Sequence, residues 1–324
     1  MMTEVVGTCR NQVSEVRPRS KRHESDMKSA PEAVSRLVRT VGVVGAGQMG
    51  SGIAEVAALA NLEVVMVDKT DQALANGLQT IRESLDRFVE KKALSNEQAQ
   101  EAIRRIRVTT HLKEMADRDF VIEAIGEDED LKRTIFNKLD RITPKHAILA
   151  TNTSALSITR IAGATKRPEK VLGVHFLNPP AIVKLVEITK GMGTDYDTYH
   201  ATKELVESMG KVTCTSADRP GFIINRILMP MINEAFFVLM EGVSSAEEID
   251  LGLQLGTNLP LGPLSLADFL GLDVCLSTLQ SIHKGTGDGK YRPCPLLVQY
   301  VDAGKLGRKT GCGVYTYFTS GEKE

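Results

Sequence analysis

The sequence predicts an α/β domain followed by a smaller all-helical domain, and three observations support this prediction. Residues 40–68 pass through strand, turn, helix and strand patterns in order. Apolar runs and helical stripes then alternate up to about residue 217, which is typical of a parallel sheet with helices packed on it. Only helical patterns follow. We therefore expect an N-terminal extension over residues 1–39 and domains over residues 40–217 and 218–324.

The composition is that of an ordinary globular protein. Of the 324 residues, 42% are hydrophobic and 25% are charged, and the net charge is -1. This charge argues against a broad nucleic-acid surface, so we expect no nucleic-acid partner. The five cysteines are scattered and form no CxxC pair, so we expect free thiols in a reducing compartment, no disulfide framework and no metal site.

The N-terminal extension differs from the rest of the chain. It has no apolar run of the kind found in a secretory signal, and Glu4, Glu15 and Glu24 argue against a mitochondrial presequence. We expect a flexible extension and a cytoplasmic protein. The mitochondrial matrix is the alternative if the extension is a transit segment.

The segment Thr40–Asp68 reads TVGVVGAGQMGSGIAEVAALANLEVVMVD. A short apolar run ends at Val44, apolar residues then recur at helical spacing up to Ala60, and Val64–Val67 forms a second apolar run. The order is strand, glycine turn, helix, strand and acid. This order distinguishes the segment from an ordinary glycine-rich turn, which is the alternative interpretation.

The glycine turn and the acid are typical of a Rossmann-type dinucleotide-binding unit. Gly45 permits the tight turn, Gly47 lets a pyrophosphate approach bare backbone, and Gly50 lets the helix pack against its strand. The helix start offers N–H groups to phosphates, and Asp68 can accept ribose hydroxyls. We predict NAD as cofactor, preferred over NADP because Asp68 repels a 2′-phosphate. The predicted contacts are Gly45, Gly47, Gln48, Met49, Gly50, Asp68 and Lys69.

The next elements alternate between helices and strands. Ser84 and Lys91 are seven residues apart on the first of these helices, about two turns, and therefore share one face. The predicted helices are Asp71–Lys92, Asn96–Ile106 and Leu131–Leu139, and the predicted strands are Asp119–Ile125, Ala147–Asn152 and Lys211–Ser216. Glu127 and Lys132 lie in a charged stretch that a solvated helix start would also explain. Ser154 follows a strand end, where it is either the N-cap of the next helix or a ligand contact.

A histidine and a glutamate lie in two strand-like runs joined by Asn178-Pro179-Pro180. The runs are Val171–Leu177 and Lys184–Lys190. If they pair antiparallel about residue 181, His175 faces Glu187. A histidine in this pattern is often a core residue, but beside a nucleotide site and opposite a carboxylate it is a candidate general base.

The helical domain begins with the nearly continuous apolar run Phe222–Met240. Polar residues and Pro230 interrupt this run, so we expect a buried helix and no membrane span. Its apolar content predicts a helical core or a subunit interface. Further helices are predicted at Glu247–Leu255, Leu264–Ile282 and Pro295–Ala303.

From about Thr40 to Phe318 the sequence resembles the short-chain L-3-hydroxyacyl-CoA dehydrogenases, among them the 3-hydroxybutyryl-CoA dehydrogenases. The matching motifs are GAGQMGSGIA, VIEA, TNTSALSIT, HFLNPP with KLVE, PGFIINRILMPMINEA, LGPLSLADFLGLDVC and LGRKTGCGVYTY. The resemblance implies NAD-dependent oxidation of a short L-3-hydroxyacyl-CoA to a 3-ketoacyl-CoA. It also implies a homodimer formed through the C-terminal domain.

The resemblance implies a role for each site residue. His175 is the general base and Glu187 its orienting partner, while Ser154 and Asn225 position the substrate oxygens. The implied NAD contacts are Asp68, Glu127, Lys132, Ser154 and Asn178, with Asn178 beside the nicotinamide. The implied coenzyme A contacts are Ser84 and Lys91. The alternatives are a related gulonate-type sugar-acid dehydrogenase and a non-catalytic NAD-binding structural protein.

Overall fold

An eight-stranded sheet lies at the centre of residues 38–317, the part of the chain that the computed structural model describes. Its strands are β1 (Thr40–Val44), β2 (Glu63–Val67), β3 (Ile106–Thr109), β4 (Phe120–Glu123), β5 (Ile148–Thr151), β6 (Val171–Phe176), β7 (Leu185–Lys190) and β8 (Val212–Ala217). Their spatial order is β3-β2-β1-β4-β5-β6-β7-β8. Neighbouring strands in this sheet are parallel, except for the antiparallel pair β6 and β7.

Helices cover both faces of this sheet. They are α1 (Gln48–Leu59), α2 (Asp71–Glu90), α3 (Asn96–Arg104), α4 (Glu129–Ile142), α5 (Ile158–Ala162) and α6 (Tyr196–Ser208). Val41 and Val43 of β1 pack with α1 on one face, while Val44 packs with Phe136 of α4 on the other. Burial on both faces explains why the strands are continuous apolar runs. The predicted α/β fold class with a Rossmann-type sheet is confirmed.

The C-terminal part is helical, as predicted. It comprises α7 (Ile224–Met240), α8 (Ala246–Thr257), α9 (Pro263–Leu270), α10 (Leu272–Thr286) and α11 (Pro295–Asp302). Fully buried apolar residues such as Phe236, Leu264 and Leu279 form its core. Within residues 38–317 no helix is both long and apolar enough to cross a membrane.

The structure differs from the sequence predictions at three places. The helix predicted to reach Ile106 ends at Arg104, because Ile106 begins β3 and pairs with β2. The helix predicted over Leu264–Ile282 is two helices, separated at Gly271, whose φ of 101° an L residue rarely adopts. Helix α6 was not predicted. The expectations about the N-terminal extension up to residue 37 lie outside the described residues.

Candidate active site

The glycine turn between β1 and α1 has the predicted geometry. Gly45 has a φ of 111°, and its N–H donates to the Val67 carbonyl at 2.7 Å. A Cβ at Gly50 would lie 1.9 Å from the Gly45 carbonyl oxygen, so the helix approaches this closely only with glycine there. Gly47 is exposed, and no atom of another residue, its two chain neighbours aside, lies within 4 Å of the position that a Cβ would occupy there. The start of α1 has neither a side-chain cap nor an acid in its first turn.

Asp68, directly after β2, is hydrogen-bonded to this turn. One carboxylate oxygen accepts the Ala46 N–H at 2.7 Å, and the other accepts the Lys69 N–H at 2.6 Å. Asp68 and Met49 are half-buried, while Gln48 and Lys69 are exposed. An uncapped helix start, bare backbone at Gly47 and a carboxylate at the strand end fit the pyrophosphate and ribose of NAD.

A buried charge network lies beside the ends of β4 and β5. The Lys132 ammonium lies 2.6 Å from a carboxylate oxygen of Glu123, and both side chains are almost fully buried. Lys132 also lies 3.5 Å from Glu127, whose other oxygen accepts the Ser154 N–H at 3.0 Å. The solvated helix start considered for Lys132 is wrong, because its side chain is 1% exposed and points into the protein. Glu127 is exposed and lies directly before Asp128, the N-cap of α4, so for this residue the solvated helix start stays open.

Ser154 lies in the loop after β5 and contacts the helical C-terminal part of the chain. Its carbonyl accepts the Asn225 side-chain N–H at 3.2 Å, so the structure brings these two predicted site residues together. Ser154 is not the N-cap of α5. That position belongs to Ser157, and the Asp218 carboxylate also accepts the first N–H groups of α5.

His175 and Glu187 face each other in the predicted register of β6 and β7. Nδ1 of His175 lies 3.3 Å from one oxygen of Glu187, and the other oxygen accepts the Ile223 N–H at 2.6 Å. Glu187 is fully buried, and His175 is 7% exposed. Since Nδ1 faces the carboxylate, Nε2 is the ring nitrogen directed away from it. An imidazole held in this way can exchange a proton at Nε2.

Asn178 lies in the connection between β6 and β7, and its side chain is exposed. The same end of β6 is held by Asn152, whose side-chain oxygen accepts the Phe176 N–H at 2.8 Å. Asn152 was not predicted as a site residue. Its position directly after β5, where ligands collect in open α/β sheets, is the signal that points to it.

Two family models together match the described chain. The NAD binding domain of 3-hydroxyacyl-CoA dehydrogenase matches residues 40–219, and the C-terminal domain of 3-hydroxyacyl-CoA dehydrogenase matches residues 221–317. The chain belongs to the 3-hydroxyacyl-CoA dehydrogenase family. This confirms the family resemblance, the NAD cofactor and the assignment as an oxidoreductase.

Individual members of the 3-hydroxyacyl-CoA dehydrogenase family align over nearly their whole length. The chain is 50% identical to the 3-hydroxybutyryl-CoA dehydrogenase of Bradyrhizobium diazoefficiens, over 88% of this chain and 97% of that protein. It is 38% identical to the mitochondrial hydroxyacyl-coenzyme A dehydrogenase of Rattus norvegicus, over 87% and 92% respectively. The crystal structure of (S)-3-hydroxybutyryl-CoA dehydrogenase from Ralstonia eutropha has a TM-score of 0.84 at 46% identity, over 87% of this chain and 100% of that chain.

Of the two predicted coenzyme A contacts in this family member, Ser84 lies on α2 and Lys91 lies directly after its end. The Ser84 hydroxyl donates to the Glu55 carboxylate of α1 at 2.8 Å, whereas Lys91 is exposed directly after the helix. Glu55 is 2% exposed, and burial raises its pKa to about 7, opposed by the Ser84 hydrogen bond and by Arg87 and Lys211. The sequence patterns did not identify Glu55 as a site residue, because the position of an acid in an apolar helix does not reveal which group it contacts.

Proposed function

We propose that this protein catalyses the NAD-dependent oxidation of a short L-3-hydroxyacyl-CoA, such as 3-hydroxybutyryl-CoA, to the 3-ketoacyl-CoA. The paired His175 and Glu187 are the main observation behind this proposal, since they form a general base with an orienting carboxylate. Relatives that align over most of this chain are named 3-hydroxybutyryl-CoA dehydrogenases, which supports a short acyl group.

The chemistry requires that a proton leave the substrate hydroxyl while a hydride leaves the carbon that bears it. Nε2 of His175 takes the proton, and Glu187 holds the tautomer with Nδ1 protonated. The buried Glu187 charge also stabilises the imidazolium that forms. When bound, NAD supplies the hydride acceptor.

Five further residues complete the proposed site. Ser154 and Asn225 position the substrate oxygens, and their contact at 3.2 Å supports placing them together. Glu127 and Asn178 contact NAD, with Asn178 beside the nicotinamide. Lys132 is the remaining predicted NAD contact, and its buried ammonium also fixes Glu127.

We assign the two parts of the chain different tasks. Residues 40–217 bind NAD, and residues 218–324 supply Asn225 and the dimer contact. Exposed apolar side chains on the helical part support a homodimer, among them Ile227 (69% exposed), Val243 (69%) and Leu255 (79%).

Ser84 and Lys91 contact the nucleotide end of coenzyme A. We place the protein in the cytoplasm, which the free cysteines within residues 38–317 favour.

The test is an absorbance assay with NADH and acetoacetyl-CoA, run beside NADH with a ketone precursor of a gulonate-type sugar acid. We expect NADH oxidation with acetoacetyl-CoA. Turnover with the sugar-acid substrate alone would replace the proposal with a gulonate-type dehydrogenase. Binding of NADH without turnover of either substrate would indicate a non-catalytic NAD-binding protein.

A further inference from the structure

A buried lysine outside the proposed site binds the connection between β6 and β7, residues 177–184, which we call the proline loop. Lys211 lies just before β8 and is 8% exposed. Its ammonium donates to the Pro180 carbonyl at 2.5 Å and to the Val183 carbonyl at 3.0 Å. Two of its three N–H donors are therefore used by one loop.

The proline loop is also packed against α1. A Cβ at Gly52 would lie 2.8 Å from Pro180, so the loop rests directly on the helix backbone there. Within the loop, the Pro179 carbonyl accepts the N–H groups of Ile182 and Val183. Asn178 lies between this fastened segment and the end of β6. Its backbone is thus held from both sides, and Lys211 supplies the polar contacts on the far side.

Glu55 provides negative charge for this lysine. Burial lowers the pKa of Lys211, and the charge of Glu55 raises it. Glu55 in turn accepts the Ser84 hydroxyl of α2 and lies near Arg87 of the same helix. The buried ammonium is therefore stabilised by two loop carbonyls and a nearby carboxylate, which is the compensation that a buried charge requires.

We propose that Lys211 is a positioning residue that holds the proline loop so that Asn178 is presented to the nicotinamide end of NAD. This inference rests on the proposed role of Asn178. Lys211 itself does not touch the substrate. It acts through its two carbonyl contacts, and its removal leaves those carbonyls and the neighbouring Glu55 without the ammonium.

The experiment compares binding of NADH with binding of ADP-ribose, which lacks the nicotinamide, in wild type and Lys211→Met. We expect the NADH dissociation constant to rise about tenfold, the size of one well-placed hydrogen bond, and that of ADP-ribose to stay unchanged. The kcat should fall by up to about 10²-fold, as for a small misplacement of reacting groups. Lys211→Arg, which keeps the charge and the donors, should restore most of the NADH affinity.

Lys184→Met is the matched control, because Lys184 lies in the same loop with an exposed side chain. Equal losses for NADH and ADP-ribose, or no loss for either, would overturn the proposal. If Lys211→Met does not fold, Lys211→Gln allows the same comparison, since an amide can still donate to one carbonyl. The binding measurements need no acyl-CoA, so they test Lys211 even if the proposed substrate is wrong.

Discussion

Glu187 joins His175 to Ile223, the N-cap of α7, through its two carboxylate oxygens. One oxygen lies 3.3 Å from Nδ1 of His175, and the other accepts the Ile223 N–H at 2.6 Å. Asn225 lies two residues after Ile223, in the first turn of α7, and contacts Ser154. The buried Glu187 carboxylate therefore fixes the position of the proposed base, His175, relative to the proposed substrate contact Asn225. The first residue lies in the sheet and the second in the helical part of the chain.

Removing the imidazole of His175 should abolish most turnover. We expect His175→Ala to lower kcat about 10²–10⁴-fold, the usual contribution of a positioned general base, and to leave NADH binding unchanged. Glu187→Gln should also lower kcat, because the amide cannot stabilise the imidazolium. Stopped-flow measurement of NADH oxidation and a fluorescence titration check this, with His111→Ala as an exposed-histidine control. Near-normal turnover in both site variants would make His175 an ordinary core residue.

Asp68 should set the preference for NADH over NADPH. Its carboxylate at the end of β2 repels a 2′-phosphate, and at close range this repulsion amounts to about 1 kcal/mol or more. Asp68→Asn keeps an oxygen for the Ala46 N–H but removes the charge, so the ratio of the two kcat/KM values should fall about tenfold. Asp71→Asn is the control on the exposed start of α2. Equal use of both cofactors by wild type would refute the assignment.

Lys91 should contact the nucleotide end of coenzyme A. We expect Lys91→Ala to raise the KM for acetoacetyl-CoA about three- to tenfold, typical of one exposed charged contact, without changing the KM for NADH. A truncated thioester without the nucleotide should show little difference between variant and wild type. The neighbouring Lys92 is exposed as well, and Lys92→Ala is the matched control. A similar loss with full and truncated substrates would exclude this contact and leave the dehydrogenase assignment intact.

Glu55 should make the stability of the fold decrease with rising pH. Its pKa rises from 4.5 to about 7 in the folded protein, so the folded state binds more protons than the unfolded state between these values. The contribution of Glu55 to stability is thus greatest below pH 4.5 and is lost as pH rises through 7. The melting temperature of Glu55→Gln minus that of wild type should therefore be larger at pH 8 than at pH 5.

Thermal melts of Glu55→Gln and wild type across this pH range check the prediction. Glu63→Gln, which changes an exposed acid at the start of β2, is the control. A constant difference in melting temperature between Glu55→Gln and wild type would mean that Glu55 ionises in the folded protein as it does in the unfolded chain.

The exposed apolar side chains of the helical part should lie in a dimer interface. Light scattering at micromolar concentration should give twice the mass of one chain, and Leu255→Glu should shift the protein toward monomer, because the charge would be buried in the interface. Met192→Glu alters a residue of the α/β part that is 90% exposed, and it should leave the mass unchanged. Wild-type protein that is monomeric at micromolar concentration would contradict the predicted dimer.

Local patterns were enough to predict most of the fold and much of the proposed site. The glycine turn, the acid at the end of β2 and the period of the first helix are all encoded within a few dozen residues. The His175–Glu187 pairing was also predictable, because antiparallel pairing of the two strands about residue 181 places His175 opposite Glu187. By contrast, β3 is a four-residue strand with a half-exposed pattern, which is too short for periodicity to identify.

The partners of buried polar groups were decided only by the tertiary structure. Lys211 reaches carbonyls about 30 residues earlier in the chain, and Glu55 meets Ser84 on another helix. Asp218 caps α5 from beyond β8. Hydrophobic periodicity tells which face of an element is buried, but not which element packs on that face. A buried charge needs a specific partner at a specific distance, so these contacts became visible only once the helices were docked on the sheet.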